Sequence, residues 1–108
     1  VTTLTAAQKT LAWAMSEADL HEAVRQHLIA FKWRAYHTWS SRHSAAGFPD
    51  CVAVRGSRIV FIELKREGKE PTPDQESWLT ELALTRSCEV YVWHPRDLHS
   101  GEIERILL

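Results

Sequence analysis

Two apolar runs separated by a two-residue turn constrain this chain more than any other feature. Cys51-Val52-Ala53-Val54-Arg55 is followed by Gly56-Ser57 and then by Arg58-Ile59-Val60-Phe61-Ile62-Glu63-Leu64-Lys65. Short runs rich in β-branched residues around a glycine turn predict a β-hairpin. Asp50 then stands where the first strand begins, and Glu63 and Lys65 stand where the second ends. Antiparallel pairing puts those ends side by side. Alternation sends Ile59, Phe61, Glu63 and Lys65 to one face and Val60, Ile62 and Leu64 to the other. A strand apolar on both faces is covered on both faces. Its end therefore brings a carboxylate and an ammonium to the rim of a core, where charge is costly unless paired or bound to a metal.

The remaining elements have legible boundaries. Thr5-Ala6-Ala7-Gln8 is a capping-box pattern that opens a short helix to about Ala14. Its role is open between a lid, a dimer contact and a frayed terminus. Ser16-Glu17-Ala18-Asp19 opens a second helix, running to about Lys32, with Ser16 as the N-cap. At 100° per residue, Leu20, Val24, Leu28 and Phe31 share a stripe. Glu17 falls on that stripe and Glu22 nearly opposite it. Glu17 is either a first-turn acid favoured by the helix dipole or a carboxylate directed at a site.

Trp33 to Trp39 reads as an aromatic-rich strand, and Ser40 to Ala46 as a polar loop carrying Arg42 and His43. After the hairpin comes a charged loop, Arg66 to Pro71. Thr72-Pro73-Asp74-Gln75 then opens a helix with Thr72 as N-cap and Gln75 closing the box. That helix presents Gln75, Trp78, Leu79, Leu82 and Ala83 on one face. Cys88 to Trp93 is a last strand, ended by Pro95, and Gly101 to Leu108 a short terminal helix. The strand-helix-strand passage from the hairpin to the last strand implies a parallel pair.

A chain of 108 residues supports one domain with one modest core. No apolar run reaches membrane-span length, and no N-terminal signal pattern is visible, so no membrane role is expected. Cys51 and Cys88, both placed in strands, read as buried reduced thiols, which fits a cytoplasmic protein. The histidines lack zinc-site spacing. The net charge of −1 is unevenly distributed. Arg25, Lys32, Arg34, Arg42, Arg55, Arg58, Lys65, Arg66 and Lys69 crowd the middle against Asp50, Glu63 and Glu67. Such a basic segment with acidic flanks can form a phosphate-binding face.

Gly47-Phe48-Pro49-Asp50, Phe61-Ile62-Glu63-Leu64-Lys65, and then Pro73, Gln75 and Trp78 together resemble the virus-type replication-repair nuclease (VRR-NUC) family of the PD-(D/E)xK superfamily. The resemblance covers Glu17 to the C-terminus. It implies an α/β, restriction-endonuclease-like fold: a small mixed β-sheet flanked by helices, in the order α-β-β-β-α-β. Residues 16–108 would form the nuclease domain and residues 1–15 an N-terminal extension. The activity implied is a Mg²⁺- or Mn²⁺-dependent DNA endonuclease in bacterial or phage-infected cells. It would be structure-selective on branched DNA, like a Holliday-junction resolvase or a flap nuclease, and it would act as a homodimer.

The resemblance assigns Asp50, Glu63, the Leu64 carbonyl and Glu17 to the metal, with Glu22 as the substitute for Glu17. The hard anionic oxygens of Asp50 and Glu63 suit such a cation. Lys65 would hold the attacking water or stabilise the developing charge, unless it only pairs with Glu63. His37, Arg42, His43, Arg66, Lys69 and Gln75 are the candidate DNA contacts, and Gln75 also has its capping role. Another reading is a non-catalytic DNA-binding or assembly module that keeps the fold. Such a module is expected to lose a motif position, and here all are intact. A third is a metal-free α/β interaction domain carrying the motif by chance.

Overall fold

A computed structural model of the chain describes residues 3–38 and 44–108. The elements are α1 (Ala6–Ala14), α2 (Glu17–Ala30), β1 (Arg34–His37), β2 (Cys51–Arg55), β3 (Arg58–Leu64), α3 (Pro73–Leu84), β4 (Glu89–Trp93), α4 (Pro95–His99) and α5 (Glu102–Leu107). The caps explain where the helices start. Thr5 Oγ1 accepts from the Gln8 backbone N–H at 3.1 Å, and Gln8 Oε1 accepts from the Thr5 N–H at 2.8 Å. Thr72 and Gln75 repeat the arrangement at 3.3 and 2.8 Å. Ser16 Oγ accepts from the Asp19 N–H at 3.0 Å.

α2 stops at Ala30 rather than Lys32. Phe31 caps it, and Lys32 takes a left-handed φ of 65°. α4 is an addition to the expected order. Pro95 ends a strand, but proline is also favoured at the first position of a helix, and here it serves both purposes.

The strands form one four-stranded sheet in the order β1-β2-β3-β4. β1 and β2 are antiparallel, with Arg34 opposite Val54 and His37 opposite Cys51. β2 and β3 are antiparallel, with Cys51 opposite Ile62 and Arg55 opposite Arg58. β3 and β4 run in the same direction. Arg58 and Glu89 meet where both strands start, and the Lys65 N–H donates to the Trp93 carbonyl at 3.0 Å where both end. The sheet is therefore mixed, as expected for the class.

The chain divides into two compact units. One comprises Val1–Lys32, Leu64–Lys69 and Trp93–Leu108, and the other Trp33–Glu63 and Glu70–Val92. In the first, α1 packs on α4, and α2 on α5. Its core includes Ala12, Leu20, Val24, Leu28, Leu64, Trp93, Ile103 and Leu107. In the second, the core includes Trp33, Cys51, Ala53, Val60, Ile62 and Leu79. Cys51 is buried in β2 as expected. Cys88 is not in a strand: it is only half-buried, precedes β4, and directs its thiol to the Leu82 carbonyl at 3.4 Å. Both thiols are free. Among the described residues no helix is long and apolar enough to cross a membrane.

A polar row closes the hairpin end of the sheet. Trp33 lies beneath two guanidiniums, Arg55 at 4.6 Å and Arg58 at 4.9 Å from its ring centroid. Arg58 also holds Glu89 in a two-pronged pair, with both contacts at 2.7 Å, and the Tyr91 hydroxyl donates to the same carboxylate at 2.6 Å. The Arg58 guanidinium holds the Glu89 carboxyl below its ordinary value of 4.5. A carboxylate depressed in the folded state adds stability above its unfolded pKa, and that stability is lost as pH falls through the folded one. Glu89→Gln should therefore cost about 0.5–1 kcal/mol at neutral pH, the screened scale of a partly exposed pair. The difference from the parent should shrink below about pH 4.5 and vanish once Glu89 is protonated in the fold, as urea unfolding across that range will show.

Candidate active site

The site is built from the end of the hairpin opposite its turn. Continuing the β2–β3 register one step beyond Cys51 and Ile62 sets Asp50 opposite Glu63. Residues directly opposed in an antiparallel pair project to the same face, with Cβ atoms about 4.5–5.5 Å apart. Asp50, Val52 and Val54 therefore share a face with Glu63, Phe61 and Ile59. On its other side Asp50 is pinned by Thr38, whose N–H donates to the Asp50 carbonyl at 2.8 Å and whose hydroxyl donates to the Pro49 carbonyl at 3.0 Å.

The turn that delivers Asp50 rests on α3. Gly47 has φ of +85°, and a Cβ there would collide with the Asp74 carbonyl group and lie 2.7 Å from the Gln75 nitrogen. Only glycine permits so close a backbone approach together with that φ. Phe48 follows, and its ring meets Trp78 at 5.0 Å and Phe61 at 6.2 Å, both edge to face. Pro49 is fully buried. Gly47, Phe48, Phe61, Gln75 and Trp78, scattered in sequence, thus form one packed support beneath Asp50.

Glu63 is 2 % exposed, and its Oε1 is buried and accepts no hydrogen bond, although the residue makes other interactions. Two carboxylates facing the same way at neighbouring strand ends repel unless a cation or a shared proton lies between them. The same negative field reaches Cys51: burial first, and then the Asp50 charge, push its thiol up to about 11. This donor pair of hard oxygens fits a divalent cation such as Mg²⁺ or Mn²⁺. Among the described residues, no group of three or more His, Cys, Asp or Glu side chains is gathered as a metal site.

The sequence matches the VRR-NUC domain family over residues 3–97. This chain belongs to the VRR-NUC family. It is accordingly a nuclease domain. A solved VRR-NUC domain superposes with a TM-score of 0.63 and 24% sequence identity, over 82% of this chain and 94% of that one. Hjc of Archaeoglobus fulgidus, described as a Holliday junction resolvase, gives a TM-score of 0.46 and 26% identity, over 66% of this chain and 63% of that one. No curated protein matches the sequence.

The remaining candidate residues of this VRR-NUC domain fall in several places. Leu64 is buried, and Lys65 is half-buried with its N–H bonded to Trp93. Glu17 differs from the expectation of a buried carboxylate: its side chain is 48% exposed, 3.8 Å from His21 Nε2. It does share the stripe of Leu20, Val24 and Leu28 by angle. However, it is the first helical residue, and a helical side chain leans toward the N-terminus, here past the end of the buried stripe. Glu22 is exposed and bound by Arg25 at 2.9 and 2.8 Å and by Gln26 at 2.8 Å. The Arg25 hydrogen bond brings its carboxyl down to about 2.

His37 pairs with Cys51 and so projects to the sheet face opposite Asp50 and Glu63. Arg66 and Lys69 are exposed. Gln75 lies against Gly47, with its Oε1 engaged by the Thr72 N–H. Arg42 and His43 lie outside the described residues.

Sequence reasoning missed Glu67, His94 and Arg96. Glu67 is buried within the loop read as charged, and it accepts hydrogen bonds from Arg96. A signal was available: His94-Pro95-Arg96-Asp97 has the proline and the acidic third residue of a helix start, and Asp97 does accept from the His94 N–H at 2.8 Å.

The Gly47 contact yields a direct test. Gly47→Ala should destabilise the domain by about 1–3 kcal/mol through left-handed strain and overpacking. The same variant should blunt any function that depends on Asp50. Thermal unfolding and activity measured side by side on Gly47→Ala and on Gly56→Ala, where a Cβ meets nothing within 4 Å, separate the close approach from the positive φ that both positions share.

Proposed function

We propose that this domain is a divalent-metal-dependent DNA endonuclease that hydrolyses phosphodiester bonds in branched DNA. The observation that carries the reading is the buried Glu63 carboxylate held opposite Asp50 at paired strand ends in a nuclease-family chain. Asp50 and Glu63 would hold Mg²⁺ or Mn²⁺, and the resemblance adds the Leu64 carbonyl and Glu17. When bound, such an ion acts as a Lewis acid and lowers the pKa of water.

The chain's own groups supply the rest. Glu63 and Asp50 present a fixed negative pair, so they need no reorganisation when a cation arrives. Lys65, two residues beyond Glu63, brings an ammonium to orient the attacking water and to stabilise charge developing on the phosphoryl oxygens. Arg66 and Lys69, with Arg42, His43 and Gln75, contact the DNA backbone, while His37, on the opposite face of the sheet, is left out of that surface. Contacts of this kind position a duplex without reading its sequence, which favours recognition by shape. The two free thiols support a reducing cytoplasm as the setting.

Labelled junctions, flaps, nicked and linear duplexes incubated with Mg²⁺ and with Mn²⁺ test the activity. Asp50→Asn and Glu63→Gln should each abolish cutting and weaken Mn²⁺ binding by calorimetry. Glu63→Gln keeps the size of the side chain, so the metal-free protein should stay folded by circular dichroism while the carboxylate's charge is lost. Lys65→Ala should keep DNA and Mn²⁺ affinity while single-turnover cleavage drops on the order of 10²–10³-fold, the scale of one lost electrostatic donor. Wild-type cutting by Lys65→Ala would remove it from the chemistry.

A homodimer belongs to the same reading, because paired cuts in a symmetric junction need two sites. Light scattering at roughly tens of micromolar should return twice the chain mass, and a monomer there would count against it.

A further inference from the structure

The segment from Lys65 to Lys69 is tied to the end of β4 and the start of α4 at three alternate positions. The Lys65 N–H donates to the Trp93 carbonyl at 3.0 Å. Glu67 accepts from the Arg96 backbone N–H at 2.7 Å on Oε1 and from the Arg96 guanidinium at 3.2 Å on Oε2. The Lys69 carbonyl accepts from His94 Nε2 at 2.8 Å, which assigns the proton to that nitrogen and lets His94 Nδ1 face Arg96 Nη2 at 3.4 Å.

The middle tie is the unusual one. Arg66, Gly68, Lys69 and Glu70 are exposed, yet Glu67 between them is only 6% exposed. A carboxylate is withdrawn from water only where its partners compensate. Arg96 is the second residue of α4, so its N–H has no partner within the helix, and Pro95 before it has no N–H at all. Glu67 therefore completes a helix start from 29 residues away. A five-residue helix has too few internal bonds to stand alone, so loop and helix hold each other. Gly68 seals the arrangement: with φ of +82° it lies under the Trp13 ring, whose nearest atoms would be 3.0 and 3.1 Å from an added Cβ.

We propose that Glu67 is a positioning residue for Lys65, anchoring the strand end that carries the lysine to the first turn of α4. The role rests on the nuclease reading above. Reactive groups act efficiently only when held in near-attack geometry, and a lysine at the end of a strand needs its following backbone restrained. Glu67 supplies that restraint two residues downstream without touching DNA or metal.

The test uses the full chain with a labelled branched DNA and Mg²⁺, beside amide hydrogen exchange without DNA. In Glu67→Ala, exchange at Lys65 and Arg96 should rise by at least about tenfold while the β2 amides stay protected, the signature of local opening. Single-turnover cleavage should fall about 10–100-fold, as for a displaced catalytic group, with DNA and Mn²⁺ dissociation constants within about twofold of the parent. Glu67→Gln keeps an oxygen acceptor for the Arg96 N–H, so it should recover most of the rate and the protection. Arg96→Ala keeps the backbone tie and should behave like Glu67→Gln.

Unchanged exchange at Lys65 in Glu67→Ala would overturn the anchor. Increased exchange with wild-type cutting would overturn its catalytic consequence. Loss of β2 protection or of DNA binding in Glu67→Ala, or no recovery in Glu67→Gln, would reduce Glu67 to a general structural or binding role. A wild-type chain that cuts no DNA refutes the nuclease reading and the catalytic consequence together, while the exchange measurement still decides the anchor.

Discussion

The pairing of β2 with β3 is the constraint on which everything else depends. Its register, with Cys51 opposite Ile62, brings Asp50 level with Glu63. A shift of one residue would turn Asp50 to the opposite face and bury Val52 and Val54 in place of Cys51 and Ala53. The apolar side chains therefore enforce the placement of the charged ones. Val60, Ile62 and Ala53 are wholly buried, and a one-residue slip of either strand would turn its buried side chains to the other face.

Support for the acidic pair is steric as well as electronic. The backbone of Gly47 lies directly on the first turn of α3, and Phe48 wedges between Phe61 and Trp78. This is an arrangement of rigid elements around a short turn, which suits a site that must hold like charges together. Asp50 and Glu63, opposed at the strand ends, are backed by this packing. The thiol of Cys51, which follows Asp50, is pushed up first by burial and then by the Asp50 charge.

Charge is sorted along the sheet. The hairpin turn carries Arg55 and Arg58, stacked on Trp33 and partly neutralised by Glu89, while the far ends of the same strands carry Asp50 and Glu63. Five residues of strand separate the two ends, about 17 Å at ~3.3 Å per residue. A net charge of −1 conceals this polarity.

Much of the fold was legible in the residues themselves, because local rules decide it. The Thr5, Ser16 and Thr72 caps, the Gly56 turn and the alternation in β3 each act within a few residues, and the helix starts and hairpin followed directly. The candidate pair was legible for the same reason: a hairpin's register follows from its turn. What sequence could not supply involves partners distant in the chain. The exposure of Glu17 depends on where the buried stripe of α2 ends. The face of His37 depends on its register with a strand 14 residues further on. Glu67 read only as one charge of a charged loop because its burial requires Arg96, and a carboxylate's solvation is decided by whichever donor the tertiary fold brings to it. The sequence by itself determined the elements other than α4 and the opposition of Asp50 to Glu63; only the tertiary structure decided which of the other charged groups are buried, because burial is set by contacts that local spacing does not encode.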